Sequence, residues 1–204
     1  MQPTDVLQSE HRVIERVLNC LGRIAASAAA TGKLDVVSAL QTLDFFRTFA
    51  DRCHHGKEEQ HLFPMLEARG FVRERGPTGV MLHEHEEGRG HIRAMTEAVE
   101  NYQSGDAQAL QRFVGHAQAY VQLLREHIAK EDRCLFPLAN EVLTQGDRAA
   151  LMKSFDHAEH NDMGLHTHEK YLRLADELAD RFGVPRAELE PNGFASCCGS
   201  HSER

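Results

Sequence analysis

The 204-residue chain contains no tryptophan and only three tyrosines. It has no apolar run near 18 residues, so a membrane-spanning helix of ordinary length is excluded. Its first residues lack the basic-then-apolar layout of a secretory leader, and none is expected. Cysteine is scarce: there are five, an odd number, and Cys197 and Cys198 are adjacent. That count argues against a disulfide framework and makes a reducing cytoplasm the expected compartment. Positive charge is also short, with 23 Lys and Arg against 31 Asp and Glu, a net −8 that speaks against a general nucleic-acid surface. Zinc-ribbon cysteine spacing, His-Glu-x-x-His, a Walker A loop and GxGxxG are all missing. What the chain has in excess is histidine, 14 in all. So many imidazoles point to metal, proton handling or pH sensing, and spacing must decide among them.

No stretch alternates as a strand would; the apolar spacing is helical throughout and predicts an all-α chain. Val6, Leu7, His11, Ile14, Val17, Leu18, Leu21 and Ile24 recur at threes and fours over about 4–30, and Gly32 supplies a stop. Asp35 reads as the N-cap of a second helix reaching Leu62, where Pro64 limits it or starts a new turn. A third helix is predicted over about 78–102, a turn at Ser104-Gly105-Asp106, and a fourth helix over about 107–135. Shorter helices fit 147–160 and 166–182. The expected division is a bundle over 1–143, a C-terminal helical hairpin packed on it over 144–184, and a flexible tail over 185–204.

The chain also repeats itself. His54-His55-Gly56-Lys57-Glu58-Glu59-Gln60-His61-Leu62-Phe63-Pro64 matches His127-Ile128-Ala129-Lys130-Glu131-Asp132-Arg133-Cys134-Leu135-Phe136-Pro137, 73 residues later. Glu10-His11 recurs 74 residues on as Glu84-His85. A duplicated helical hairpin closing into an antiparallel four-helix bundle is the simplest architecture. In each hairpin the two histidines lie about 21 residues from the turn, hence level with one another and roughly 30 Å along the helices from it. Glu58 and Glu131 each sit four residues after a histidine and share its face. Four imidazoles and two carboxylates thus converge inside the bundle. Bare carboxylates in an apolar core are costly, so a cation is expected between them. The ferritin-like pattern requires Glu-x-x-His twice; here it occurs once, at Glu58 to His61, with Cys134 at the second position.

The stretches HHGKEEQHLFPMLE, MLHEHEEGRG and HIAKEDRCLFPLA resemble the hemerythrin-like family, also called the HHE cation-binding domain, over about residues 4–140. The resemblance implies a four-helix bundle around a non-haem di-iron centre, bridged by two carboxylates and open to a small gas, oxygen or nitric oxide. Carried over by position, it implies His11, His54, Glu58, His85, His127 and Glu131 as ligands. The family includes oxygen carriers, oxygen or iron sensors, and proteins that repair iron–sulfur clusters after nitrosative or oxidative stress. Zinc or another divalent ion, in a non-catalytic sensing or structural module, is the alternative. Whether the chain is an enzyme, what its redox partner is and how many copies associate stay open at this point.

Oxygen-carrying members place a second histidine four residues after the third-helix histidine; here that position is Arg89. One ion is therefore expected to be short of a protein ligand, unless His61, His91 or His116 supplies it. Glu15 is the repeat-mate of Arg89, and the two are expected to pair or to contact the ligands. His55/Glu59 is a competing register for His54/Glu58, which the repeat disfavours because only the latter precedes Leu-Phe-Pro as the second copy does. His157, His160, His166 and His168 are read as exposed or capping residues, with a further metal site as the other possibility. Cys197 and Cys198, with His201, are read as a loose vicinal pair.

Overall fold

The structure is a computed structural model, and it describes residues 1–74, 76–159 and 167–185. Helix α1 (Pro3–Thr31) starts with proline in its first turn, where the missing N–H is not needed. It ends at Gly32, whose φ of 70° lets its N–H reach the Ala28 carbonyl. Asp35 caps α2 (Val36–Phe45) by accepting from the Ser38 N–H at 3.1 Å.

The second rod does not stop at Pro64. It passes through π-helical segments at Phe46–His55 and Glu58–Leu62 and continues as α3 (Phe63–Ala68). The fourth rod repeats the device: α5 (Ala109–Lys130), a π turn at Glu131–Leu135, then α6 (Phe136–Val142). A proline inside an α-helix clashes with the carbonyl four residues back. In both rods the wider turn lies directly before the Phe-Pro pair, and the Phe N–H reaches back five residues, to Glu58 or Glu131. Proline here marks a change of helical pitch instead of an end.

The third rod is α4 (Pro77–Gln103), joined to α5 through a turn in which Gly105 takes φ 88°. Two further helices, α7 (Gln145–His157) and α8 (Thr167–Phe182), complete the all-α bundle. The Thr144 hydroxyl and the Asp147 carboxylate form a reciprocal capping box at the start of α7. Among the described residues there is no strand, and no helix is long and apolar enough to cross a membrane.

Two apolar clusters fill the bundle. The larger joins Ile14, Val17 and Leu21 of α1 with Phe45, Phe46 and Phe49, Met95 and Val99 of α4, Phe113 and Leu124 of α5, and Tyr171 and Leu178 of α8. The smaller gathers Leu7, Leu62, Phe63, Leu66, Met81, Leu135, Phe136 and Phe155. On every rod the polar candidate residues fall between a member of one cluster and a member of the other. The site is consequently a polar layer sealed above and below. The tail expected over 185–204 lies, from 186 onward, outside the described residues.

Candidate metal centre

His11, His54, Glu58, His85, His127 and Glu131 are brought together, and all six are buried. A seventh residue joins them. His55 groups with Glu58, His85 and His127, while His11, His54, Glu58 and Glu131 form a second group; within each, the possible ligand atoms lie within 4.8 Å of one another. Glu58 belongs to both. Its two oxygens face different histidines: Oε1 lies 3.5 Å from His54 Nε2 and Oε2 3.5 Å from His85 Nε2. Glu131 Oε2 likewise stands between His11 Nε2, at 3.2 Å, and His127 Nε2, at 3.3 Å.

The expectation that Arg89 leaves one ion short of an imidazole is corrected by His55. His54 and His55 are both buried, so the two registers are not alternatives. The segment carrying them is π-helical, which turns less per residue than an α-helix, and adjacent side chains can both point inward. None of the other proposed substitutes enters the site. His91 and His116 bond each other through their Nδ1 atoms at 3.1 Å, and His61 lies beside the Phe155 ring. Nor does Glu15 pair with Arg89: Glu15 pairs with Arg12 at 2.9 Å, and Arg89 with Asp51 and Glu59, each at 2.7 Å, and Glu86 at 2.6 Å. Of the C-terminal residues, His160, His166, Cys197, Cys198 and His201 lie outside the described residues.

Each of the five imidazoles has a carboxylate behind it. His11 Nδ1 meets Asp132 at 2.8 Å, His54 meets Glu10 at 2.9 Å, His55 meets Asp51 at 3.4 Å, His85 meets Glu59 at 2.7 Å and His127 meets Glu84 at 3.0 Å. A carboxylate can only accept, so each Nδ1 carries a proton and donates it, and in the neutral ring Nε2 is left with a bare lone pair. Such outer carboxylates orient metal-binding histidines and raise their basicity. The arrangement follows the repeat. Glu10–His54 and Glu84–His127 are equivalent pairs within each half; His11–Asp132 and Glu59–His85 are equivalent pairs that cross between halves. Lys57 and Lys130, also repeat-mates, back Glu10 and Glu84 in turn.

The centre is electrostatically unfinished. The Nε2 atoms of His11 and His54 and both oxygens of Glu58 and Glu131 are buried with no hydrogen-bond partner. His85 and His127 direct their Nε2 atoms at each other 3.1 Å apart, although both have already given their protons to carboxylates. Two lone pairs at that distance repel unless something positive lies between them. Two nitrogens each about 2.0–2.1 Å from one ion would have about this separation. Burial, and then the Glu131 carboxylate beside it, push the Glu58 pKa well up. Burial alone would raise Glu131 as well, but His127 and His11 hold it below the usual carboxylate range. Imidazoles and bridging carboxylates are the donors that iron, zinc and related divalent ions take. The residues present fit a pair of such ions.

Solvent approaches from one side. A cavity of about 210 Å³ between the second, third and fourth rods ends on His55 and His85. Phe46, Ile92, Tyr120 and Leu124 wall it, with Arg47 and Arg93 among its polar lining. Gly88 makes room for the Tyr120 ring; a Cβ there would stand 3.4 Å from Tyr120 Cε2.

The fold and these two donor groups define a helical-bundle protein with a histidine–carboxylate cation site. The chain belongs to the hemerythrin HHE cation-binding domain family, whose match covers residues 2–139. It is similar to three uncharacterized proteins, Mb2018 of Mycobacterium bovis and MT2051 and Rv1995 of Mycobacterium tuberculosis. Each is 24% identical over 178 residues, which span 87% of this chain and 68% of the relative. That alignment is longer than the family match and so takes in part of the chain beyond residue 139.

Proposed function

We propose that the chain holds two iron ions in a non-haem, carboxylate-bridged centre and uses it to bind oxygen or nitric oxide. The observation that carries this reading is the sharing of Glu58 between two four-donor groups whose inward atoms have no other partner. His55, His85 and His127 would hold one ion, His11 and His54 the other, with Glu58 and Glu131 between them. Five protein donors for the first ion and four for the second would leave coordination positions for solvent or a small ligand. When bound, iron would supply reversible redox change next to that position.

The protein's own contribution is separable from the metal's. Glu10, Asp51, Glu59, Glu84 and Asp132 fix the tautomer of every ligand imidazole. The two carboxylates offset the charge of the ions. Leu62, Phe63, Leu135 and Phe136 exclude water on one side of the polar layer, and the cavity beside His55 and His85 gives a small neutral molecule a way in. A role in oxygen or redox sensing, iron handling or stress response in the cytoplasm, with a redox partner supplying electrons, is in keeping with such a centre.

The second reading is a cation-sensing or structural module, with zinc as an equally suitable ion. It draws on the unpartnered buried atoms, because a layer so unfavourable when empty ties metal binding to folding. Elemental analysis and an ultraviolet–visible spectrum of the same as-isolated sample separate the two. Two irons per chain with oxo-bridged ferric absorption support the first. Zinc alone, with a metal-free form that is loose and protease-sensitive, would support the second. One ion per chain would sink the paired arrangement.

A further inference from the structure

Both halves of the repeat build the same outward chain: imidazole, carboxylate, lysine. In the second half it runs His127–Glu84–Lys130 and reaches solvent, the Lys130 side chain being 45% exposed. In the first half it runs His54–Glu10–Lys57, and Lys57 is wholly buried. The difference is made by residues beyond the family match. Glu159, two residues past α7, gives Lys57 a second carboxylate. Phe155 of α7 places its ring 5.9 Å from the same ammonium. His168, in the first turn of α8, brings Nε2 to 3.6 Å from Glu10 Oε1 and lays its ring against Phe49 at 5.3 Å.

Helix α8 is fastened where it lies. Asp176 pairs with Arg16 at 2.6 Å, the Tyr171 hydroxyl donates to Asp44 at 2.8 Å, and Arg181 reaches Ser38 and Gln41 at 2.9 and 2.7 Å. Among the described residues no comparable contacts cover Glu84 and Lys130. Glu10, Glu159 and His168 also stand close enough to hold a cation, but the Lys57 ammonium already occupies the space between the two carboxylates.

We infer that Glu159 and His168 are positioning residues that fix His54 through Lys57 and Glu10, so that the His11/His54 group retains its ion while the His55/His85/His127 group exchanges. This rests on the two-cation reading. It follows from two independent features, the clamp behind His54 and the cavity that ends on His55 and His85. Outer partners that orient a ligand imidazole are worth about 10–100-fold in affinity; the cation that holds Glu10 is buried, whereas Arg89, which holds Asp51 and Glu59, and Lys130, which holds Glu84, are partly exposed. A chelator also has a route to the His55/His85/His127 group, through the cavity lined by His55 and His85.

The test is zinc release from the fully loaded protein into excess EDTA. The intact chain should release its two ions in separate phases of equal amplitude. Glu159→Gln, and more so Glu159→Gln with His168→Ala, should speed the slow phase by about tenfold or more and leave the fast phase alone. Lys130→Met should leave the slow phase unchanged. His55→Ala should remove the fast phase, which assigns it. An unchanged slow phase in Glu159→Gln would overturn the inference, and so would release of both ions in one phase. Equal acceleration of both phases would also overturn it, because general loosening of the fold acts on both groups. Fewer than two ions bound at the start would instead bring down the two-cation reading itself.

Discussion

His54 and His55 are neighbours in the chain, yet they serve different groups of donors. His54 stands with His11, Glu58 and Glu131; His55 stands with Glu58, His85 and His127. Their ring centres are 5.6 Å apart, and each has its own carboxylate, Glu10 for the first and Asp51 for the second. An α-helix would turn adjacent side chains about 100° apart, and the π-helical pitch here narrows that angle. The π-helical segment lets one rod contribute to both groups.

His55→Ala should therefore cost one of the two ions and leave the other bound. Arg89→Ala should keep two, because Arg89 pairs with Asp51, Glu59 and Glu86, none of which belongs to either group. Metal per chain by elemental analysis decides it. Two ions in His55→Ala, or one in Arg89→Ala, would return the missing-ligand role to Arg89's position.

Glu58 is common to both groups, and its metal-free carboxyl is buried without a partner. Glu58→Gln should abolish paired binding while making the metal-free fold more stable, by about 1 kcal/mol or more. The intact chain should gain about 2.7 kcal/mol from an ion at a hundred times its Kd, and the variant should lose that gain. Urea unfolding with and without metal measures both changes. A metal-free variant less stable than the parent would contradict the account of the empty site.

Acidity should act on the metal-free chain in two opposite ways. Burial lowers His55 to about 4 and His85 to about 3, so between those values and about 6.5 the unfolded chain binds more protons. Stability should fall as the pH drops through that window. Burial also disfavours charge on His11, but its bond to Asp132 and the nearby Glu131 carboxylate outweigh this and raise it to about 9. Its contribution is complete below about 6.5 and disappears as the pH rises through about 9. Urea midpoints at about pH 4.5, 7 and 9.5 should be highest at 7. A flat series would mean that these histidines are not buried as described.

Gly88→Val would fill the cavity beside Tyr120 without touching a donor residue. Metal content should stay at two ions, while the rate of small-ligand binding should fall about tenfold or more. Stopped-flow mixing of the reduced protein with oxygen or nitric oxide reads this directly. An unaltered rate would show that ligands do not enter by this route.

Much of this was legible in residue spacing. The repeat and its level histidines locate six of the seven residues in the two groups, because hairpin symmetry and i, i+4 faces are properties of regular helices. Gly32, Asp35 and Gly105 mark turns by backbone chemistry alone. The repeat disfavours His55, because its second copy has Ile128 at that position, and nothing in the sequence declares a π segment except Pro64 further on. The outer carboxylates left a partial trace. Glu10 and Glu84 were part of the repeated Glu-His, and Glu59 and Asp132 follow the two bridging glutamates, but only packing assigns their partners. Asp51 has Leu124 as its repeat-mate and His55 has Ile128, so that pair breaks the symmetry and left no signal. The clamp from Glu159 and His168 depends on contacts more than 100 residues apart in sequence, which no local pattern carries.

The widened turns before the two Phe-Pro pairs also set where this sequence can change length. In each, the Phe N–H reaches a glutamate carbonyl five residues back, across one residue more than an α-helical turn holds. Losing one residue between Glu58 and Phe63 would turn that bond into an ordinary α-helical one and leave carboxylate and apolar lid in their present phase. The same loss in a regular stretch of the rod would rotate everything after it by about 100°. The two π turns are thus the places where these rods can shorten without swinging the lid off the polar layer.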